Sequence, residues 1–489
     1  MLLLPALVIF LAAAAALAVL ARQLRPSPQP APRSVALVVL GDIGRSPRML
    51  YHAQSFAQNG FTTYVLAHRG AKPPKELGDN PLVRFVYLET PLASTSALPK
   101  PLFLACLPVR ILLSAASLLY ALLFLPAPPA FFFVQNPPAI PTLAVVKLAA
   151  FLRGSKVIID WHNTGYSVLA LRLGARHPVV RLARRLELWF GRVSYAHLCV
   201  SDAMKAQLVK DAQLQGRIAT LHDRPPASFR RQTEQEAHEL LSRLPELTSI
   251  SFPSLPAPEA GATLFTPALG VRPALVVSAT SWTLDEDFSL LLRALDLYDA
   301  AASTLSQPGG GLRARDLAEG KVEGALPPLV ALITGRGAGR AAFERAAADC
   351  EARWRRVRVR TAWLERDDYP RLLGSADLGV SLHESTSGID LPMKVVDMFG
   401  CGLPVLALDF PCVSELVQDG VNGRTFRTAE DLADGLITLL RAPAALDALR
   451  AGITTASYGG ETGKEGDSGQ PWGTWEANWD ARVLPLVSP

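Results

Sequence analysis

Short runs of consecutive apolar residues, each about as long as a strand, alternate along the chain with stretches whose apolar positions recur at helical spacing. Runs that are apolar at nearly every position are typical of parallel strands buried on both faces of a sheet. One series of such runs opens at Ser34–Leu40, and a second opens at Ala274–Ser278. The pattern predicts an α/β protein with two doubly wound, Rossmann-like domains.

Composition along the chain suggests where these domains begin and end. With 489 residues, of which 49% are hydrophobic, the chain is long enough for two domains with sizeable cores. We predict the first domain over residues 34–226 and the second over residues 271–455. Residues 227–270 are charged and then proline-rich, which is typical of a connection, and residues 456–489 form a glycine-rich tether with a tryptophan-rich end.

The first residues of the chain predict a membrane anchor. Residues 1–21 are almost wholly apolar, and at about 1.5 Å per residue they can cross a bilayer core of about 30 Å. Because Arg22, Arg25 and Arg33 follow the apolar run, we expect an uncleaved transmembrane helix with the rest of the chain in the cytosol. The five scattered cysteines fit a reducing compartment. A cleaved signal peptide is the alternative interpretation.

A second strongly apolar segment covers residues 102–134. Pro108, Arg110 and Pro126 interrupt it, and a second membrane span would split one α/β domain across the bilayer. We therefore predict a membrane-associated interfacial helix followed by a buried strand. The alternative is a helix of the domain core.

Residues 375–404 carry the densest group of polar side chains in the second domain. The pattern predicts a strand over Leu378–Leu382, a polar loop over His383–Asp390 and a helix over Leu391–Phe399. Loop amides ahead of a helix, with Lys394 nearby, suit a phosphate or diphosphate. Carboxylates in the same stretch could accept hydrogen bonds from sugar hydroxyls. The alternative is that the serines and threonine only cap the helix.

In the first domain, polar residues follow two of the predicted strands. The turn Gly41–Arg48 follows the first strand, and its glycines permit a tight turn with close backbone approach. Asp160, His162, Asn163 and Tyr166 come at the end of a later strand. Because α/β enzymes place their chemistry at the carboxyl ends of parallel strands, we expect this second group to face the cleft between the domains.

Three of these stretches resemble one family. SADLGVSLHESTSGIDLPMKVVDMFGCGLPV, GDIGRSPRM and DWHNTGYS are similar to the corresponding motifs of the chitobiosyldiphosphodolichol beta-mannosyltransferases. The resemblance implies a GT-B glycosyltransferase with an N-terminal acceptor domain and a C-terminal nucleotide-sugar domain. It also implies transfer of mannose from GDP-mannose, with inversion, in beta-1,4 linkage to GlcNAc2-diphosphodolichol on the cytosolic face of the endoplasmic reticulum.

The same resemblance implies roles for individual residues. It implies that the acceptor is bound by Gly41, Gly44, Arg45, Ser46, Arg48, Asn163 and Tyr166, and the donor by Arg336, Ser385, Thr386, Ser387, Gly388, Asp390, Lys394 and Asp397. Arg336 stands where the family usually has lysine. For the general base the sequence offers Asp42, His162 and Glu384, of which we rank Asp42 first because it is a carboxylate in a glycine turn.

The expected partners are the lipid-linked acceptor, the membrane of the endoplasmic reticulum and other mannosyltransferases of the pathway. A net charge of +5 is too small to indicate nucleic acid. We expect no tightly bound cofactor and no protein metal site, while dependence on a divalent cation stays open. The alternatives are another GT-B glycosyltransferase of the same pathway, either a related mannosyltransferase or an enzyme that uses another nucleotide sugar, and a non-catalytic scaffold.

Overall fold

The computed structural model of the protein describes residues 30–89, 100–255, 262–265, 272–282, 286–305, 326–385, 388–455, 457–458, 470–471 and 473–488. The chain divides into two compact units, one formed by residues 1–222 with 476–489 and the other by residues 223–475. Each unit contains a parallel sheet with helices, which confirms the predicted α/β class.

The first unit is built on a seven-stranded parallel sheet with the order β3-β2-β1-β4-β5-β6-β7. Its inner strands are buried on both faces, because helices cover the sheet on both sides. The chain reverses the direction of strand addition between β1 and β4, which makes this the switch point of the sheet. The strands are β1 Ala31–Asp42, β2 Thr62–His68, β3 Val83–Leu88, β4 Pro129–Asn136, β5 Lys156–Trp161, β6 Val193–Cys199 and β7 Gln215–Thr220.

Helices connect these strands in order along the chain. They are α1 Pro47–Gln58, α2 Lys75–Gly78, α3 Lys100–Leu123, α4 Thr142–Arg153, α5 Gly165–Leu173, α6 Pro178–Gly191 and α7 Asp202–Ala212. Helix α1 follows the turn at the end of β1, and α5 follows the end of β5. Both therefore begin at the carboxyl edge of the sheet.

The apolar segment 102–134 forms the predicted helix and strand. Helix α3 covers its first part, and β4 places Phe132 and Phe133 in the core with no exposure. On α3, Leu118 and Leu122 are buried, whereas Tyr120 is 65% exposed. The predicted anchor, residues 1–21, lies outside the described residues. Among the helices that the structure describes, none has the length and apolar character needed to cross a membrane.

The second unit contains a six-stranded parallel sheet with the order β10-β9-β8-β11-β12-β13. Its strands are β8 Ala274–Ala279, β9 Leu329–Thr334, β10 Val357–Ala362, β11 Leu378–Ser381, β12 Val405–Leu408 and β13 Gly423–Phe426. Its helices are α8 Glu234–Ser242, α9 Pro245–Thr248, α10 Phe288–Leu305, α11 Arg340–Glu351, α12 Asp368–Ser375, α13 Met393–Gly400, α14 Ala429–Arg441 and α15 Pro443–Thr455. Here the switch point lies between β8 and β11.

The C-terminal end of the chain returns to the first unit. A two-stranded antiparallel pair, β14 Ser457–Tyr458 and β15 Gln470–Pro471, precedes α16 Trp475–Arg482 and α17 Leu484–Val487. The ring of Trp479 is fully buried and packs edge-on against Phe56 of α1, with the ring centroids 5.0 Å apart. The tryptophan-rich end therefore completes the core of the first unit.

Candidate active site

The centre of the first unit's site is Asp160, the next-to-last residue of β5, whose carboxylate is fully buried. Arg48 binds it through two hydrogen bonds, from Nε to Oδ2 at 2.9 Å and from Nη2 to Oδ1 at 2.8 Å. Burial opposes ionisation of Asp160, but the charge of Arg48 and the hydrogen bonds from Arg48 and His162 outweigh it and hold the pKa of this carboxyl well below its usual range. Asp160 is therefore a permanent buried anion.

His52 of α1 is the third member of the cluster that also contains Asp160 and Arg48. Its Nε2 lies 3.2 Å from Oδ2 of Asp160, and its Nδ1 lies 3.0 Å from the indole nitrogen of Trp479. Because an indole N–H can only donate, Nδ1 must accept, and the proton of the neutral ring sits on Nε2. Burial lowers the pKa of His52 to about 4, although Asp160 acts in the opposite direction. His52 thus supports Asp160 as a neutral donor.

His162 is the fourth group and the most exposed of the cluster. Its Nε2 lies 2.6 Å from Oδ2 of Asp160, and 21% of its side chain is exposed. Since the ionised carboxylate can only accept, Nε2 carries the proton and the neutral ring keeps a lone pair on Nδ1. Among the described residues, no hydrogen bond reaches this Nδ1. An imidazole oriented by a buried carboxylate is the arrangement of a general base.

Two further buried groups hold the loop that follows His162. Glu187 of α6 accepts hydrogen bonds from the backbone amides of Gly165 at 2.8 Å and Tyr166 at 3.0 Å, so it binds the first turn of α5. Asn136, at the end of β4, donates to Glu187 at 2.7 Å and to the carbonyl oxygen of Asn163 at 3.3 Å. Burial raises the pKa of Glu187, while the hydrogen bonds from these three donors lower it by a smaller amount. Hydrogen bonds from these two buried side chains therefore hold the loop that carries Asn163 and Tyr166.

The glycine turn after β1 is closed by Asp42. Its carboxylate accepts the backbone amides of Gly44 and Ala71, each at 3.0 Å. A Cβ on Gly44 would lie 2.5 Å from the carbonyl oxygen of Ala71, so only glycine fits there. Ser46 donates to the carbonyl oxygen of Asp42 at 3.2 Å, and Arg45 remains exposed. These contacts give Asp42 a role in shaping the turn.

Arg48 differs from the other residues predicted to bind the acceptor. Besides Asp160, its guanidinium donates to the carbonyl oxygen of Leu221 at 2.8 Å, and the residue is 4% exposed. A guanidinium bound in this way positions Asp160 and has little surface for a ligand. Gly41 lies in the last part of β1, where a Cβ would meet open space.

In the second unit, the loops after β8 and β9 pack against each other. Gly335 has φ +143°, and a Cβ there would collide with the carbonyl oxygen of Thr280. The close approach of the two backbones leaves Arg336 exposed at the loop tip. Its guanidinium carbon lies 4.2 Å from the ring centroid of Trp363, which follows β10 and is 48% exposed. The stacked ring holds an accessible cation at the carboxyl edge of this sheet.

Lys394 lies in the first turn of α13 and forms an ion pair with Glu286. The carboxylate of Glu286 is nearly inaccessible and also accepts a hydrogen bond from Thr280. Asp287, the other described acidic residue before α10, has a different role. It accepts the amide of Ser289 at 2.9 Å and caps the helix. Glu286 fixes Lys394 while 23% of the lysine side chain stays exposed.

The polar loop between β11 and α13 contains hydrogen bonds between its own residues. Ser385 donates to Asp390, and the amide of Gly388 donates to the carbonyl oxygen of Ser385 at 3.1 Å. Gly388 has φ +72°, a conformation that favours glycine. Thr386 and Ser387 lie outside the described residues, and Glu384 is exposed. The predicted strand, loop and helix are confirmed, with α13 beginning two residues later than expected.

Asp397 is a partly buried carboxyl on α13. Tyr369 donates to its Oδ2 at 3.3 Å. Burial raises the pKa of Asp397 to about 7, with a further increase from the charge of Asp223 and a smaller opposing effect of Tyr369. This carboxyl is easily protonated near neutral pH, so it can donate as well as accept a hydrogen bond.

The structure brings the predicted residues into two groups, one at the carboxyl edge of each sheet. His162, Asn163 and Tyr166 follow β5, and Arg336, Lys394 and Asp397 follow or flank β9 and β11. Sequence reasoning missed several supporting residues. Only the polar, charged or aromatic character of these side chains marked them beforehand; they are Asn136, Glu187, Glu286, Trp363 and Trp479.

Comparisons with known proteins agree with this arrangement. A family profile described as "Glycosyl transferases group 1" matches residues 321–442. The chain is 41% identical to the Mus musculus chitobiosyldiphosphodolichol beta-mannosyltransferase, covering 93% of this chain and 89% of that protein. It is 40% identical to the Homo sapiens protein of the same name, covering 94% and 93%. It is 39% identical to an Arabidopsis thaliana protein named UDP-glycosyltransferase TURAN, covering 92% and 96%.

Solved structures show the same fold at low sequence identity. A glycosyltransferase from Rickettsia africae superposes with a TM-score of 0.55 at 12% identity, covering 86% of this chain and 93% of that one. A sucrose-phosphate synthase from Thermosynechococcus elongatus gives a TM-score of 0.55 at 13% identity, with coverage of 86% and 93%. With the two parallel sheets, these similarities support a GT-B fold.

Proposed function

Because the chain belongs to the chitobiosyldiphosphodolichol beta-mannosyltransferase family, we propose that it transfers mannose from GDP-mannose to the 4-hydroxyl of the terminal N-acetylglucosamine of GlcNAc2-diphosphodolichol. The linkage formed is beta-1,4. An alpha-linked donor that gives a beta-linked product requires a single displacement with inversion at the anomeric carbon.

His162 is our choice for the general base. As the acceptor hydroxyl attacks the anomeric carbon, its proton passes to Nδ1 of His162, and the bond from that carbon to the diphosphate breaks. The electron pair leaves with GDP. Asp160, 2.6 Å from Nε2, stabilises the imidazolium that forms. This dyad is the observation that carries the proposal. Asp42 is less suited than first ranked, because its oxygens already accept backbone amides.

We assign the donor to the second unit. Arg336 is exposed and can form a bidentate pair with the departing diphosphate, while Lys394 adds a second positive charge next to the polar loop. Gly388 and Asp390 belong to that loop, and Asp397 can exchange hydrogen bonds with a ribose or sugar hydroxyl. These two cations meet the charge of the leaving group, so the proposal needs no resident cofactor and no protein-held metal.

We place the enzyme at the membrane of the endoplasmic reticulum, with both units in the cytosol and residues 1–21 as a single anchor. The lipid-linked acceptor named for the relatives must be reached from a bilayer. Helix α3 supports this location because it exposes Leu113 and Tyr120 to 42% and 65%.

The test is transfer by the full chain to a short-chain prenyl diphosphate chitobiose. GDP-mannose should give a trisaccharide that a beta-specific mannosidase cleaves. A product resistant to that mannosidase, or no transfer by a folded preparation, would contradict the proposal. The Arabidopsis relative's name specifies UDP, so UDP-sugars are the competing donors to include. A chelator added to the same assay tests the need for a divalent cation.

A further inference from the structure

Exposed apolar side chains are concentrated in one part of the first unit. Among the residues that the structure describes, all the exposed large apolar side chains except Leu297, Trp363 and Val421 lie between residues 102 and 209. That region contains α3 to α7, which follow one another along the sheet. Such a concentration indicates a surface that meets an apolar or amphipathic partner.

Helices α5 and α6 carry a large share of this surface. Leu171 of α5 is 63% exposed, and Trp189 of α6 is 69% exposed. On α6, Leu182, Arg185 and Trp189 are spaced by three and four residues, so they form one stripe along the helix. The opposite side of α6 is buried through Val180 and Glu187. Helix α6 is therefore amphipathic, with an outer stripe that is both apolar and basic.

The charge of this segment is strongly one-sided. Residues 165–193 contain six arginines, at positions 172, 176, 181, 184, 185 and 192. The only acidic residue in this segment is Glu187, which is buried. Arg184 is paired with Asp211 at 2.8 Å. Within the described part of the chain, Arg181 and Arg185 have no acidic partner. The exposed surface is thus left with uncompensated positive charge.

A groove at the end of α6 combines the same two properties. It has a volume of about 520 Å³ and is lined by Lys147, Trp189, Phe190, Arg192, Val193 and Gln215. Aromatic rings beside cationic groups suit the boundary between lipid headgroups and acyl chains, where tryptophan is enriched. A protein partner or a second copy would need complementary acidic residues, and a bilayer supplies the negative charge through its headgroups.

We propose that α5 and α6 dock on the surface of a bilayer that carries anionic phospholipids. The side chains of Leu171, Leu182 and Trp189 enter the headgroup boundary, and Arg181 and Arg185 face the phosphates. This contact acts in addition to any transmembrane anchor. It would form whichever sugar the chain transfers, so its failure and that of the proposed reaction can be told apart.

Hydrogen–deuterium exchange of the full chain reports on this contact residue by residue, so it detects the contact even if another segment also binds the membrane. The chain is compared on vesicles of phosphatidylcholine alone and on vesicles with about 30% phosphatidylserine. We expect slower exchange across residues 165–193 on the anionic vesicles, and loss of that protection at about 0.5 M salt. Arg181→Gln with Arg185→Gln should weaken docking about thirtyfold.

The matched control is Arg345→Gln with Arg355→Gln, which removes the same charge from exposed positions of the second unit. It should leave the protection of residues 165–193 unchanged. Equal exchange on both kinds of vesicle, or equal loss in both double variants, would overturn the proposal. Protection that appears without vesicles as the protein concentration rises would identify a contact between copies and would overturn it as well.

Discussion

Replacing His162 by asparagine is the sharpest test of the proposed base. Asparagine removes the basic Nδ1 and keeps an N–H near Asp160. A positioned general base contributes about 10²- to 10⁴-fold in rate, which is about 3 to 5 kcal/mol of activation free energy. We therefore expect kcat to fall by at least about a hundredfold, with the Kd for GDP unchanged because GDP is assigned to the second unit.

The structure predicts that this variant still folds. Asp160 keeps both hydrogen bonds from Arg48 and the one from His52, so its buried charge remains paired. Losing one hydrogen bond to a charged group costs about 1.5 to 3 kcal/mol, less than the stability of a typical domain. By contrast, Asp160→Asn would leave Arg48 buried without its carboxylate, at a cost of about 3 to 5 kcal/mol. A loss of activity in that variant could then result from a loss of folding.

The assay is the initial rate of mannose transfer at saturating GDP-mannose, compared between the wild type and His162→Asn. The matched control is His177→Asn, since His177 is exposed, caps α6, and asparagine also caps helices well. A folded His162→Asn variant with kcat within about threefold of wild type would refute the assignment.

Three further predictions concern supporting residues. Trp479→Phe should lower the free energy of unfolding by about 2 to 4 kcal/mol, because Nδ1 of His52 loses its donor and the smaller ring leaves part of the buried indole volume empty; an unchanged denaturant midpoint would contradict this. Arg336→Ala should raise the KM for GDP-mannose about tenfold or more, measured beside Arg345→Ala as a control, and wild-type kinetics would remove Arg336 from the donor site. Burial raises the pKa of Asp397 to about 7, so wild-type stability falls as pH rises from the unfolded value through 7. Asp397→Asn should remove that loss and gain up to about 4 kcal/mol over wild type at pH 8, with little gain near pH 4; a gain independent of pH would count against it.

Much of the site could be predicted because its motifs lie next to strand ends. The order of apolar runs predicted both sheets, and the polar residues after β5 and β11 then had to lie at a carboxyl edge. The order of the candidate bases could not be predicted this way. Asp42 and His162 both follow strands, and only their hydrogen-bond partners separate a turn-closing carboxylate from an oriented imidazole.

The α/β class, the division into two sheets, the family and the stretches that carry the chemistry could all be predicted from the residue order, because local hydrophobic spacing and motif order are properties of neighbouring residues. The contacts of Trp479 with His52, of Arg48 with Asp160 and of Glu286 with Lys394 became visible only in the folded chain. These partners are far apart along the chain. Burial makes their pairing obligatory, since a polar group removed from water needs a partner, but it does not encode in the sequence which partner that is.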